Sequence, residues 1–273
     1  MQNAIISIFC HIDDFLKALF WKDDPQCQMS MAEVVTSGLI SWWFFQGNIE
    51  KARVFLTEHG YIPNMLSKSR LNRRFHSIPP FFWHLIVSHL AHLIEPSSKG
   101  FLIDSFPVFV CHNVRSKRRS LLKGQKFIGF NASKQAWFTG LKVHILTTFW
   151  GCPKEFLFSS ASTHDLTAFK KMYLGTVPLN SIILGDKAYI SAEHEQNLLE
   201  QGFHLITDRR VNSRKGQSLI YHRYGKRIRK RIETTFSKIS SWLPRSIHAV
   251  SDKGFVLKLM MLIAAFTMTF LKF

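Results

Sequence analysis

Three acidic residues in the second half of the chain occupy positions where a carboxylate needs an explanation. Asp104 lies inside the apolar segment LIDSF, Asp186 follows the apolar segment SIILG, and Glu233 follows the basic run KRIRKR. A carboxylate in an apolar strand is costly unless it is paired or binds a metal ion. Three carboxylates together repel one another, and Mg²⁺ removes this repulsion because it binds carboxylates, phosphate oxygens and water. The three acids therefore predict a site where two ions clamp the attacking and leaving oxygens of a phosphoryl displacement.

Two of these acids, taken alone, also have a simpler interpretation. Glu233 lies four residues after Arg229, and an ion pair at this helical spacing contributes only about 0.2–0.5 kcal/mol. Asp186 could cap the turn between a strand and a helix. Ser105, beside Asp104, could be a nucleophile, but no Gly-x-Ser-x-Gly elbow surrounds it.

Two further pairs of residues could approach the acids. Lys142 and His144 alternate in the segment GLKVHI, so they would share one face of a strand, and His144 could equally lie in the core. His164 and Asp165 begin a short helical segment, in which Asp165 is either a helix N-cap or a further acid near the site.

The segments that carry the acids predict a mixed α/β sheet. Strand-like runs cover residues 101–111, 137–149, 181–186 and 204–208, the first of them interrupted by Pro107. A helix is expected over 191–200, and another carries Glu233. Strands followed by alternating strands and helices favour a mixed sheet. Asp186 would end its strand at the carboxyl edge, where such sheets bind ligands.

The first part of the chain predicts only helices. The segment EPSSKG (95–100) suggests a domain boundary, which divides the chain into a helical region over 1–98 and a catalytic domain over 99–273. Within 49–76, a helix, Gly60 and a second helix with several basic residues are similar to a helix-turn-helix DNA reader. An ordinary solvated helix face would give the same pattern. The basic residues in question are Lys68, Arg70, Arg73 and Arg74.

Positive charge is concentrated in the second part of the chain. The formal net charge is +18, of which residues 1–100 contribute +1 and residues 101–273 contribute +17. Two basic runs, over 115–134 and 209–231, contain no acidic residue. Such a surface predicts a polyanionic partner, usually nucleic acid, although a merely soluble basic surface is the alternative. The predicted DNA contacts are Arg70, Arg73, Arg74, Arg115, Lys117, Arg118, Arg119, Lys142, Lys187, Arg229 and Lys230.

Cysteine usage and apolar runs suggest a cytoplasmic protein that has no membrane partner. The four cysteines form no CxxC pair, and the thirteen histidines show no zinc-ligand spacing. The N-terminus lacks the basic region of a signal peptide. The apolar run over 259–271 is too short to cross a bilayer and predicts a buried helix.

Several segments together resemble a known family. LIDSFPV, GLKVHILTT, STHDLTAF, ILGDKAY and RKRIETTFSKI look like the catalytic region of DDE transposases from bacterial insertion sequences, most closely the IS982 family. The resemblance runs from about residue 101 to 258, and GYIPNMLSKSRLNRRFH is similar to the N-terminal part of that family.

The resemblance implies a ribonuclease H-like catalytic core preceded by a helical DNA-binding region. Its acidic triad, which binds two Mg²⁺ ions (or Mn²⁺), maps onto Asp104, Asp186 and Glu233, and the Arg four positions before the Glu maps onto Arg229. The Tyr and Lys that accompany them in the related IS4 group are replaced by Lys226 and Ser240, so the phosphate contacts of that pair are not carried over.

The function implied is metal-dependent transposition. Water and then a DNA 3′-hydroxyl would act as nucleophiles, so no covalent enzyme intermediate is needed. The partners would be double-stranded DNA, both terminal inverted repeats and target, bound by a homo-oligomer. A DNA-binding descendant without catalysis and a simple nuclease of the same fold are the alternatives.

Overall fold

The computed structural model describes residues 2–112, 120–131, 135–209, 216, 218–219 and 221–271. These residues form two compact units. The first comprises Met1–Leu90 and Ile239–Phe273, and the second comprises Ala91–Lys238. The final helix, which the sequence interpretation assigns to the second domain, belongs to the first unit.

The first unit is helical. Its elements are α1 (Gln2–Ala18), α2 (Met31–Phe45), α3 (Ile49–Glu58), α4 (Lys68–Ser77), α5 (Pro80–Ile94), which continues past the boundary, and the final helix α9 (Asp252–Met268). Helices α2 and α9 are buried along most of their length and pack against each other. Gly38 of α2 allows the Phe75 ring of α4 to pack close to the α2 backbone, because a Cβ at residue 38 would lie 3.0 Å from that ring.

Local signals in the sequence set the helix ends. Ser30 and Glu33 form a capping box at the start of α2, as the spacing SMAE predicts. Asn48 caps α3 by accepting a hydrogen bond from the Lys51 amide. Residues 59–67 join α3 to α4, a longer connection than the turn of roughly 3–4 residues in a helix-turn-helix.

The second unit is built on a mixed sheet. Its strands are β1 (Gly100–His112), β2 (Ile128–Asn131), β3 (Ala136–Thr148), β4 (Pro153–Ser160), β5 (Ser181–Gly185) and β6 (Phe203–Thr207). The order is β2-β3-β1-β5-β6, and β4 also pairs with β3. Strands β1 to β4 pair antiparallel, whereas β5 is parallel to β1 and β6 to β5. Helices α6 (Asp165–Phe169), α7 (Ala192–Glu200) and α8 (Lys226–Trp242) complete the order.

The expected interruption of β1 at Pro107 is absent. The strand runs through this residue, which pairs with Lys142 of β3. Pairing of β1 with β5 covers only Gly100 to Leu102. Beyond Leu102, β1 therefore does not have to donate backbone hydrogen bonds to β5. A proline is tolerated at such an edge.

The two faces of the sheet bury different elements. Phe101 and Ile103 of β1 belong to a buried cluster with Phe169 of α6 and Leu198 of α7. On the other face, the Phe106 ring packs against Phe236 of α8, with ring centroids 4.7 Å apart. Residues of β1 therefore alternate between an α6–α7 face and an α8 face.

Among the described residues, no helix combines the length and the apolar character that a membrane span requires.

Candidate active site

Two of the predicted acids lie at neighbouring strands, Asp104 within β1 and Asp186 directly after β5. Leu102 of β1 pairs with Leu184 of β5 in a parallel register, and Asp104 and Asp186 each follow two residues later. The carboxyl end of β5 therefore brings Asp186 level with Asp104. Pairing of β1 with β5 therefore places the two acids at the same edge of the sheet.

Asp104 has the environment of a carboxyl that is difficult to ionise. Burial is the main cause that raises its pKa to about 7, and the nearby charges of Asp186 and Asp165 raise it further. A hydrogen bond from the Ser105 amide to Asp104 Oδ1, 2.7 Å long, and the charge of Arg229 oppose this shift. The acid thus lies among two other carboxylates and one guanidinium.

Asp186 combines two roles. Its Oδ1 accepts a hydrogen bond of 2.8 Å from the Ala188 amide, which caps the single 3-10 turn Lys187–Tyr189. The capping interpretation is therefore correct, but it does not remove Asp186 from the site, because its charge still acts on Asp104.

A buried hydroxyl lies among the acids. Tyr189 has a pKa raised well above its ordinary value, first by burial and then by the charges of Asp104, Asp165 and Asp186. Within the described part of the chain its hydroxyl has no hydrogen-bond partner. The sequence around Tyr189 did not indicate that its hydroxyl lies near the acids.

Helix α8 brings a cation to the two strand acids. Burial lowers the pKa of Arg229, but Tyr221, Asp186 and Asp104 raise it more, so the net shift is upward. Tyr221 is buried in a π-helical turn, Tyr221–Gly225, just before α8. Sequence reasoning missed Tyr221 because it lies eight residues before Arg229 and only the turn brings it there.

Glu233 lies one turn beyond Arg229 on α8 and is exposed. Among the described residues, no group of three or more His, Cys, Asp and Glu side chains has the arrangement of a metal site. The chemistry of the donors nevertheless fits a divalent cation, because carboxylates are the ligands that Mg²⁺ prefers and the charge of Asp186 contributes to the raised pKa of Asp104. Asp104 and Asp186 would supply these ligands.

An acid that sequence reasoning missed follows the next strand. Asp208 comes directly after β6, and its amide donates to Gly185 O at 3.2 Å. Its Oδ2 lies 3.8 Å from Lys187 Nζ. The strand end was a usable signal, since both Asp186 and Asp208 terminate parallel strands.

Lys142, His144 and Asp165 lie together behind Asp104. Lys142 Nζ donates to Asp165 Oδ1 at 3.1 Å and to Thr163 O at 2.9 Å. His144 is fully buried, and burial lowers its pKa to about 4. Asp165 is thus the first residue of α6 and an ion-pair partner, while the N-cap position belongs to His164.

The predicted DNA contacts differ in their surroundings. Arg70, Arg73, Lys187 and Lys230 are exposed. Arg74 instead donates to Cys27 Sγ and, at 3.3 Å, to Met29 O, within the first unit. Four of the predicted residues lie outside the described part of the chain, namely Arg115, Lys117, Arg118 and Arg119.

Comparisons with known proteins agree with this architecture. The sequence profile of the family described as "Transposase DDE domain" matches residues 97–245. A cryo-EM structure of the piggyBac transposase synaptic complex with hairpin DNA has a TM-score of 0.50 and 10% sequence identity, over 97% of this chain and 72% of that chain. No curated protein matches significantly. The predicted ribonuclease H-like sheet preceded by helices is confirmed as the fold.

Proposed function

The chain belongs to the family of proteins with a transposase DDE domain, and from that premise we propose that it cuts and joins DNA at the ends of an insertion sequence. The observation that carries this proposal is the pair of carboxylates within β1 and directly after β5. Asp104 and Asp186 are adjacent, and Asp104 has a raised pKa because of burial and of the second acid. Such a pair is suited to hold divalent cations against phosphate oxygens.

The proposed metal ligands are Asp104, Asp186 and Glu233. Two Mg²⁺ ions bound there would supply Lewis acidity and a deprotonated water at neutral pH, a role that Mn²⁺ could also fill. The Ser105 amide holds the Asp104 carboxylate through its Oδ1. Glu233 is exposed, so it is accessible to complete the site beside bound DNA.

Arg229 would bind the phosphate at which the reaction takes place. Its guanidinium is already within the field of both strand acids, and a planar cation with several donors suits phosphate recognition. In the first step water cleaves a phosphodiester and releases a 3′-hydroxyl. In the second step that hydroxyl attacks a phosphodiester of the target, and the bond to the target leaving oxygen breaks.

Double-stranded DNA is the proposed partner, as terminal inverted repeats and as target. Exposed basic residues of the second unit, including Lys187 and Lys230, would neutralise phosphates near the acids, together with the predicted residues Arg115, Lys117, Arg118 and Arg119. Residues 49–76 would recognise the transposon ends through Arg70 and Arg73. We further propose that the chain belongs to the IS982 family and that it acts as a homo-oligomer assembled on DNA.

The test is cleavage and strand transfer on a DNA duplex that carries the inverted repeat flanking the gene, in Mg²⁺. We expect cleavage at the repeat boundary and joining of the 3′ end to a target duplex. Cleavage without joining would indicate a nuclease, and binding without cleavage would indicate a DNA-binding descendant. If no inverted repeats flank the reading frame, the assignment to an insertion sequence is wrong.

A further inference from the structure

A polar cluster lies next to the proposed metal site on the other face of the sheet. Asp165 Oδ1 accepts hydrogen bonds from Lys142 Nζ at 3.1 Å and from the Ser105 hydroxyl at 3.1 Å. His144 Nδ1 lies 4.0 Å from the same oxygen, and His144 Nε2 lies 2.8 Å from Ser159 Oγ. The cluster thus joins β1, β3, β4 and the start of α6.

The strand register places this cluster directly behind Asp104. Ser105 pairs with His144 and Pro107 pairs with Lys142, so these side chains share one face of the sheet. Asp104 precedes Ser105 and points to the opposite face, where α8 contributes Arg229. Despite the intervening strand, the charge of Asp165 still acts on Asp104 and on the buried Tyr189 hydroxyl.

Charge balance in the cluster depends on the ion pair of Lys142 and Asp165. Burial keeps His144 neutral near pH 7, since its pKa is lowered to about 4. Lys142 is therefore the cation that compensates Asp165, and both side chains are only 22% exposed. An ion pair of such low exposure is screened less by solvent and salt than a surface pair.

We propose that Asp165 is a positioning residue for the metal site: it anchors the Lys142 ammonium at Thr163 and cancels its positive charge behind Asp104. This inference rests on the proposed function, because the site it serves is the one assigned to Asp104 and Asp186. Without Asp165, the Lys142 charge would oppose a divalent cation on the other side of β1. Without Lys142, the Asp165 charge would attract one.

The test is direct binding of Mn²⁺ to the full chain without DNA. The electron paramagnetic resonance signal of the free ion measures how much Mn²⁺ remains unbound. Asp165→Asn should weaken Mn²⁺ binding on the order of tenfold, because an uncompensated ammonium remains near the site. Lys142→Met should strengthen it several-fold. The double variant should return to within about twofold of the wild type, since the coupled charges are removed together.

The opposite signs separate this role from a structural one. Loss of either partner of a part-buried ion pair destabilises the fold, so the temperature of thermal unfolding without metal should move in the same direction for both variants. A matched control is the exposed pair of Lys170 and Glu193 in the same unit, at 3.3 Å. Glu193→Gln should leave Mn²⁺ binding unchanged.

Failure of the inference can be told apart from failure of the proposed function. One outcome is that Asp104→Asn loses Mn²⁺ binding, whereas Asp165→Asn and Lys142→Met bind Mn²⁺ as tightly as the wild type. The metal site then stands and the role of Asp165 is wrong. The same holds if both variants weaken binding. If the wild type binds no Mn²⁺ through Asp104, the metal site and this inference are both wrong.

Discussion

The charged groups of the site are held in two different ways. On the strands, backbone pairing brings Asp104 and Asp186 side by side, and hydrogen bonds from the Ser105 and Ala188 amides fix both carboxylates. On helix α8, Glu233 is exposed and Arg229 is half-buried. The strand acids are therefore preorganised, whereas the helix supplies groups that can respond to a ligand. Preorganised charge is the most effective form of electrostatic catalysis.

The largest effect is expected at the strand acids. Asp104→Asn removes a proposed metal ligand and keeps the size of the side chain. Loss of a Lewis acid costs several kcal/mol, so cleavage of a terminal-repeat duplex in Mg²⁺ should fall by at least about 10³-fold. Gel-shift affinity for the same duplex should remain within a few-fold. A variant that still cuts at one tenth of the wild-type rate would remove Asp104 from the chemistry.

Without metal, the same substitution should change how stability depends on pH. The folded pKa of Asp104, about 7, lies above its unfolded value, so the folded state holds the proton more tightly. In the wild type, the free energy of unfolding should therefore fall as pH rises from about 4 to about 7, by up to roughly 4 kcal/mol, and level off above that range.

Denaturant titrations across this pH range measure the effect. In Asp104→Asn the free energy of unfolding should not show the fall with pH that Asp104 causes. This variant should therefore be more stable than the wild type above pH 7. Added Mg²⁺ should recover stability in the wild type but not in the variant, because a ligand that binds only the folded state stabilises it. Parallel pH profiles for the two proteins would contradict the environment described for Asp104.

The helix acid should show a smaller effect on turnover. Glu233→Gln keeps size and polarity but weakens a metal ligand, so cleavage should fall by at least about a hundredfold. DNA affinity should be equal or higher, because a negative charge beside phosphates is removed. If Glu233 is only an exposed partner of Arg229, the change should cost no more than about 1 kcal/mol of stability and leave turnover nearly normal.

The sequence singles out the acids at the strands more clearly than the other groups of the candidate site. Asp104 and Asp186 could be recognised because a carboxylate among apolar strand residues is unusual, and parallel strand ends meet at one edge. Tyr221 could not, since only a π-helical turn brings it to Arg229. The fold class followed from alternating strands and helices, but the packing of α9 with the first unit depends on long-range burial, which local periodicity does not encode.

Helix α4 repeats the contrast between fixed and free charges on a smaller scale. Arg74 is held by Cys27, by Met29 O and by Asp23, whose Oδ1 lies 3.8 Å from the guanidinium, whereas Arg70 is exposed. Arg74→Ala should therefore lower the free energy of unfolding by about 1–2 kcal/mol, because the carbonyl of the buried Met29 loses its donor. Arg70→Ala should change it by less than about 0.5 kcal/mol.

DNA binding should reverse this order. If residues 49–76 recognise transposon ends, Arg70→Ala should weaken binding to the terminal repeat and reduce the slope of log K against log[salt] by about 1, as expected when one phosphate contact is lost. Arg74→Ala should leave that slope unchanged, because its guanidinium is occupied within the fold. Denaturant titrations and gel shifts on the same two variants measure both quantities. An unchanged slope for Arg70→Ala would place α4 away from the DNA, and loss of slope for Arg74→Ala would mean that Arg74 leaves Cys27 and Met29 to bind it.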